Sequence, residues 1–480
     1  MSSTRREFIR YTGLGAMAVA LAPTASCSAL GRRPNLLFLF ADDHTFAAIG
    51  ALGSDEVHTP NLDRLVNRGV TFTHAYNQGA WGGAVCIASR TMLTSGRFLW
   101  HAYALVPRMD EESGSRHLWP QLLEDAGYET YLSGKWHVDV DPSTVFNHIS
   151  HIRPGMPNQS PEGYDRPKEG EPDAWSPSDP RFGGYWEDGQ HWSEVLADDG
   201  EAFIRDASDR DKPFFMYLAF NAPHDPRQSP QAYLDRYPLG EVDVPDNLLS
   251  EYPYGEDMGS GRGLRDERLA PFPRTAHAVR VNRQEYYAII THMDAQIGRI
   301  LMALEGSGKA DNTIILFTAD HGLGVGQHGL MGKQNMFDHS VRVPLVITGP
   351  GIPRGRTLDT PVYLQAVMPT TLELAGASIP EYVQFKSLMP LIRGREEESY
   401  QAIYGGYRHL QRMVSQGDYK LIIYPSIGKR LLFNLREDPL EERNLAEDPG
   451  HATRIDSMTR ILTGLQRETG DTLKLPVLRE

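Results

Sequence analysis

Three short, almost unbroken apolar runs constrain the fold most. Asn35–Ala41 (NLLFLFA), residues 213–220 (PFFMYLAF) and residues 313–318 (TIILFT) lack the alternation of a strand with one wet face. Each reads as a strand buried on both sides. Ahead of the third run, Tyr287, Ile290, Ile297, Leu301 and Leu304 recur at three, four and seven residues, which is one face of a long helix. Thr59-Pro60 and Gly69 bracket a short helix with an N-cap, a first-turn proline and a closing glycine. Residues 118–126 read as a helix closed by Gly127, and residues 128–132 as the next strand. Alternating strands and helices predict an α/β fold, with a large, mostly parallel sheet sandwiched by helices.

Two stretches interrupt that rhythm. Residues 141–191 are rich in proline, glycine and aromatics, and residues 236–275 are similar with more charge. Both read as long surface insertions of the kind that shape substrate pockets. After about 395 the pattern shifts to short strands at 402–404, 412–414, 419–423 and 431–434, then a helix near 455–468. The division expected is a catalytic domain over 34–390 and a small antiparallel α+β subdomain over 395–480.

Residues 1–27 read as a targeting leader. Thr4-Arg5-Arg6-Glu7-Phe8-Ile9-Arg10 resembles a twin-arginine export signal, followed by a small apolar stretch too short to span a membrane. Residues 21–27 (LAPTASC) loosely resemble a lipobox, which would leave Cys27 as a lipidated N-terminus. The expectation is an exported protein, periplasmic or anchored to a membrane by lipid. Only Cys27 and Cys86 are cysteines, so no disulfide framework exists. The formal charge of −14 argues against nucleic-acid binding, and an anionic substrate would need a local cationic pocket.

In open parallel sheets, ligands gather beyond the carboxyl ends of strands. Asp42-Asp43 follows the first apolar run, and Asp320-His321-Gly322 follows the third. Carboxylates gathered there repel one another unless a cation sits among them, and hard oxygens favour Ca²⁺ or Mg²⁺. Cys86 lies after a glycine-rich stretch and before a helical one, so it would stand at a helix N-terminus, where backbone N–H groups favour anions. Arg90, four residues on, can share its helical face and neutralise a nucleophile or a bound oxyanion.

Cys86-Ile87-Ala88-Ser89-Arg90 resembles the sulfatase signature Cys-x-Pro/Ala-Ser-x/Arg, and residues 91–97 (TMLTSGR) resemble its continuation. Ala88 stands where proline is commoner. The resemblance extends over nearly the whole chain after the leader. Asp42-Asp43 resembles the family's first metal pair, and Asp320-His321 its second. Lys135-Trp136-His137 resembles its Lys-x-His element, with alternation expected to point Lys135 and His137 the same way. His224 in Ala222-Pro223-His224 resembles a catalytic histidine, and Lys333 in HGLMGK the lysine that contacts sulfate. Residues 432–444 (LFNLREDPLEERN) resemble the usual C-terminal ending. His321 places the resemblance on the iduronate-sulfatase and choline-sulfatase side of the family. His328 and His339 read as polar loop surface.

The resemblance implies an alkaline-phosphatase-like fold and a sulfuric ester hydrolase. A maturation enzyme would oxidise Cys86 to formylglycine, and one Ca²⁺ would be held by Asp42, Asp43, Asp320, His321 and the residue at 86. In that family one oxygen of the aldehyde hydrate attacks sulfur and the other later expels sulfate. The resemblance assigns His137 to the second step, with Lys135 and Arg90 stabilising the hydrate's oxygen. His224 and Lys333 would bind sulfate and protonate the leaving oxygen. A sulfated sugar or polysaccharide is the expected substrate. Two rival readings are a phosphodiesterase or phosphonate monoester hydrolase of the same superfamily, and a non-catalytic lipoprotein that binds sulfated glycans.

Overall fold

The apolar runs lie at the centre of the sheet. The computed structural model describes residues 33–396 and 399–476, so the export-like leader and Cys27 lie outside the described residues. Nine strands of the described chain form the main sheet. They are β1 Asn35–Ala41, β2 Val70–Tyr76, β3 Glu129–Lys135, β4 His148–Arg153, β5 Phe214–Ala219, β6 Thr313–Ala319, β7 Arg342–Thr348, β8 Arg356–Leu358 and β9 Val362–Tyr363. Their order is β8-β2-β7-β6-β1-β5-β3-β4, with β9 also on β2. β4, β3, β5, β1 and β6 run parallel, whereas β7 is antiparallel to both β6 and β2.

Register places the site. Ala41 of β1 pairs with Ala319 of β6, so Asp42 and Asp320 leave the sheet side by side. Phe40 pairs with Ala219 of β5, which in turn pairs with Gly134 of β3, so Lys135 ends its strand at the same level. Gly134 has φ +91°, and a Cβ there would lie 1.9 Å from the Ala219 carbonyl oxygen, so only glycine fits this close approach. The β3–β4 register shifts between Leu132 and Gly134, a bulge that re-aims the strand end.

The sheet is covered on both faces. One cover is the helix Ala276–Gly306, which spans the periodicity read from Tyr287 to Leu304 and begins eleven residues before it. Its N-cap, Thr275, accepts a hydrogen bond from the Ala278 N–H. The short helix is Pro60–Arg68, as Pro60 and Gly69 indicated. Thr59 does not cap it with its side chain and instead donates to Asp63 at 3.0 Å.

The strands expected after 395 extend to Ile403–Tyr407, Gln411–Gln416, Tyr419–Tyr424 and Lys429–Asn434, an antiparallel meander. Its outer strand also pairs in parallel with Gly79–Ala80, just before the Cys86 segment. The helix Ala452–Thr469 buries Ile455, Met458 and Leu462 in a core shared with Leu421, Leu432 and Met92. Residues 141–191 are only partly an excursion, because β4 falls within them and forms the sheet edge. No helix among the described residues is long and apolar enough to cross a membrane.

Candidate active site

The helix Val85–Ser95 starts one residue before Cys86, whose thiol is buried. Lys333 Nζ lies 3.8 Å from Cys86 Sγ, 3.0 Å from His224 Nε2 and 2.8 Å from Asp43 Oδ1. Burial pushes the Cys86 thiol up, but Lys135 and Lys333, with hydrogen bonds from His137 and His224, outweigh it and hold the thiol well below its usual range.

Lys135 is wholly buried and its ammonium is hydrogen-bonded to Asp42. His137 reaches Cys86 as well, but not by strand alternation. β3 stops at Lys135, Trp136 turns into the core against Phe146 and Tyr217, and His137 takes a left-handed backbone with φ +51°. The conformation of that turn, rather than the two-residue period, brings its ring to Cys86. Arg90 is buried over the Phe40 ring, donates from Nε to Asp320 Oδ2 at 2.9 Å and from NH1 to the Lys135 carbonyl at 2.7 Å. It ties the carboxylate cluster to the end of β3, and its other terminal nitrogen has no protein partner.

The carboxylates form one buried group. Ligand atoms of Asp42, Asp43, Cys86 and His321 all lie within 4.8 Å of one another. Asp320 Oδ1 accepts from the Asp43 N–H at 3.3 Å and sits 3.6 Å from His321 Nε2. Burial and the charge of Asp320 hold the Asp42 carboxyl well above its usual range. Burial would lower His321, but Asp320 and Asp43 raise it to about 9, so the group draws positive charge to itself. Asp42 Oδ1 and His321 Nε2 are buried and make no hydrogen bond. Buried polar atoms are normally satisfied. These two, with oxygen-rich neighbours, fit a divalent cation.

His224 also has a neighbour that sequence reading missed. Its Nδ1 faces the Asp225 carbonyl oxygen at 2.8 Å and the Asp225 carboxylate at 3.1 Å. Burial lowers His224, but Asp43 and Asp225 outweigh it and raise it well above the usual range. Asp225 directly follows the motif histidine, which was the available signal. His328 is not surface. It is buried, stacked on Phe337 at 4.0 Å, and its Nε2 meets the Glu441 carbonyl oxygen at 3.0 Å.

A buried thiol at a helix N-terminus, beside the carboxyl ends of a parallel sheet and among buried cations, is suited to chemistry on anionic esters. A sulfatase family model matches residues 34–377, and an N-sulphoglucosamine sulphohydrolase C-terminal model matches residues 326–468. A choline-sulfatase from Rhizobium meliloti is 30% identical over 439 residues, covering 87% of this chain and 83% of that protein. A protein solved with its substrate D-glucosamine-2-N,6-O-disulfate superposes with TM-score 0.71 at 23% identity, covering 92% of this chain and 99% of that one. A phosphonate monoester hydrolase from Silicibacter pomeroyi superposes with TM-score 0.72 at 21% identity, covering 92% and 96%. The chain belongs to the sulfatase family and is a sulfuric ester hydrolase.

Proposed function

We propose that this enzyme removes sulfate from a sulfated sugar, with residue 86 acting as formylglycine and Ca²⁺ as the metal. The observation that carries the reading is the convergence on Cys86 Sγ of Lys333, 3.8 Å away, and of His224, itself 3.0 Å from that lysine. Sγ marks the place where an oxygen nucleophile would stand after maturation. The substrate of the superposed disulfated-glucosamine complex supports the sugar class.

Asp42, Asp43, Asp320 and His321 would hold the cation, with residue 86 completing the set. When bound, it polarises the sulfate oxygens and favours the anionic nucleophile. Formylglycine supplies an oxygen nucleophile with a second hydroxyl on the same carbon. Lys135, buried beside the nucleophile, supplies positive charge there, and Arg90 does so from the far side of Asp320. His224 and Lys333 bind the sulfate and deliver a proton to the leaving oxygen. His137, hydrogen-bonded to residue 86, takes the proton whose loss expels sulfate. Burial of the whole group makes each of these charges count for more than it would in water.

The leader supports export, and Cys27 supports a lipid anchor, so the surroundings proposed are the periplasm or a membrane surface. The signature at Cys86 supports a formylglycine-generating enzyme as the maturation partner. Assays of sulfate, phosphate and phosphonate esters side by side test the activity. Turnover of a sulfated sugar well above the other two supports it. Preference for a phosphonate overturns it in favour of the phosphonate-hydrolase reading, and binding without turnover overturns it in favour of a glycan-binding protein.

A further inference from the structure

A chain of hydrogen bonds and ion pairs joins the two residues proposed to serve the leaving oxygen. Starting from His224 Nδ1, it passes 3.1 Å to the Asp225 carboxylate, whose other oxygen is hydrogen-bonded to Arg265 NH1. Arg265 NH2 donates to Asp266 Oδ1 at 2.5 Å. Asp266 Oδ2 accepts from Gln334 Nε2 at 2.7 Å, and Gln334 Oε1 accepts from the Lys333 backbone N–H at 3.0 Å. Lys333 Nζ then returns to His224 Nε2 at 3.0 Å. Gln334 Nε2 also donates to the Gly83 carbonyl at 3.0 Å, three residues before Cys86. Asp225, Asp266 and Gln334 are buried, whereas the Arg265 side chain is 33% exposed.

We infer that Arg265 is a positioning residue. It acts through Asp225 on His224, and through Asp266 and Gln334 on Lys333. This rests on the roles proposed above for those two residues. Arg265 belongs to the 236–275 insertion, so a segment outside the sheet braces the site. Two carboxylates already engage its guanidinium, which leaves it a bridge rather than a receptor for substrate anions. A guanidinium can bridge two carboxylates with separate N–H groups in one plane. An ammonium is a single point of charge and cannot hold both in the same geometry. Without the bridge, Asp225 and Asp266 repel each other, and both catalytic groups lose their fixed aim.

The test compares Arg265→Ala and Arg265→Lys on an alkyl sulfate and on nitrophenyl sulfate, with the metal-loaded, matured enzyme. Misplacing a proton donor costs about tenfold to a hundredfold in rate. The expected result is a kcat loss of that size on the alkyl sulfate and a smaller kcat loss on nitrophenyl sulfate, with any rise in KM the same for both. Millimolar guanidinium chloride should restore part of the Arg265→Ala rate. Arg265→Lys should fall between the variants' extremes, and it carries the test if the alanine variant does not fold. An unchanged kcat, or an equal loss on both substrates that guanidinium does not relieve, overturns the inference. His224→Ala measured in parallel separates the two readings. If it shows the leaving-group dependence and Arg265→Ala does not, only the role of Arg265 falls. If neither shows it, the reading of His224 falls and this inference with it.

Discussion

Lys333 and His224 meet at 3.0 Å between Nζ and Nε2, with Asp43 held against the lysine at 2.8 Å. Both groups and His137 reach Cys86, and the proposed roles divide proton delivery, by His224 and Lys333, from proton removal, by His137. Removing one such group costs about 10²–10³ in rate. His224→Ala should lose that much on an alkyl sulfate and recover part of it on nitrophenyl sulfate, whose leaving oxygen needs little protonation. His137→Ala should not recover. It should release about one equivalent of nitrophenol per site and then stall, which rapid-quench kinetics reads directly. Steady turnover by His137→Ala would contradict the division of roles.

Metal removal should act on both rate and stability. Asp42, Asp43 and Asp320 are paired with Lys135, Lys333 and Arg90, and a bound divalent cation would add to that pairing. Exhaustive chelation should abolish turnover and lower the melting temperature, and calcium should restore both, because a ligand that binds only the folded state stabilises it. A chelated enzyme with full rate and unchanged melting would place the metal elsewhere.

A pH effect is expected far from the site. Asp471, just past the last helix, grips Arg412 at 2.5 and 2.8 Å, and both side chains are only 2% exposed. Burial alone would push the Asp471 carboxyl up, but Arg412 and Gln466 hold it below its usual range. The folded value is depressed, so this stabilisation is present above the unfolded carboxyl's range near pH 4 and is lost as pH falls through the folded value. Asp471→Asn should cost about 3 kcal/mol at pH 7, because it leaves a buried guanidinium unpaired. Thermal melts of both proteins should differ at pH 7 and converge below pH 4. A constant difference across that range would contradict the assignment.

The legible parts of the fold were those written in unbroken apolar runs. β1, β5 and β6 are buried on both faces, so their sequences carry no alternation to misread. β2 (VTFTHAY) and β7 (RVPLVIT) mix polar residues or a proline into shorter runs, and neither stood out as a strand. Site residues next to strand ends, Asp42 and Asp320 above all, were readable because register fixes where a strand stops. Strand alternation does not account for how His137 reaches Cys86, since its turn has a left-handed backbone no period encodes. Arg265 and Gln334 could not be read at all. Their partners, Asp225, Asp266 and Gly83, come from three separate segments that only the folded insertion brings together.

Residue 86 is proposed to work as an aldehyde on sulfate esters. The most direct measurement is the mass of the peptide holding residue 86, in protein made with a maturation enzyme, alongside its rate of sulfate release from a sulfated sugar. The expected result is a formylglycine mass, trappable with a hydrazine reagent, in proportion to activity across preparations. Full activity from a sample that carries only the cysteine thiol at 86 would contradict it.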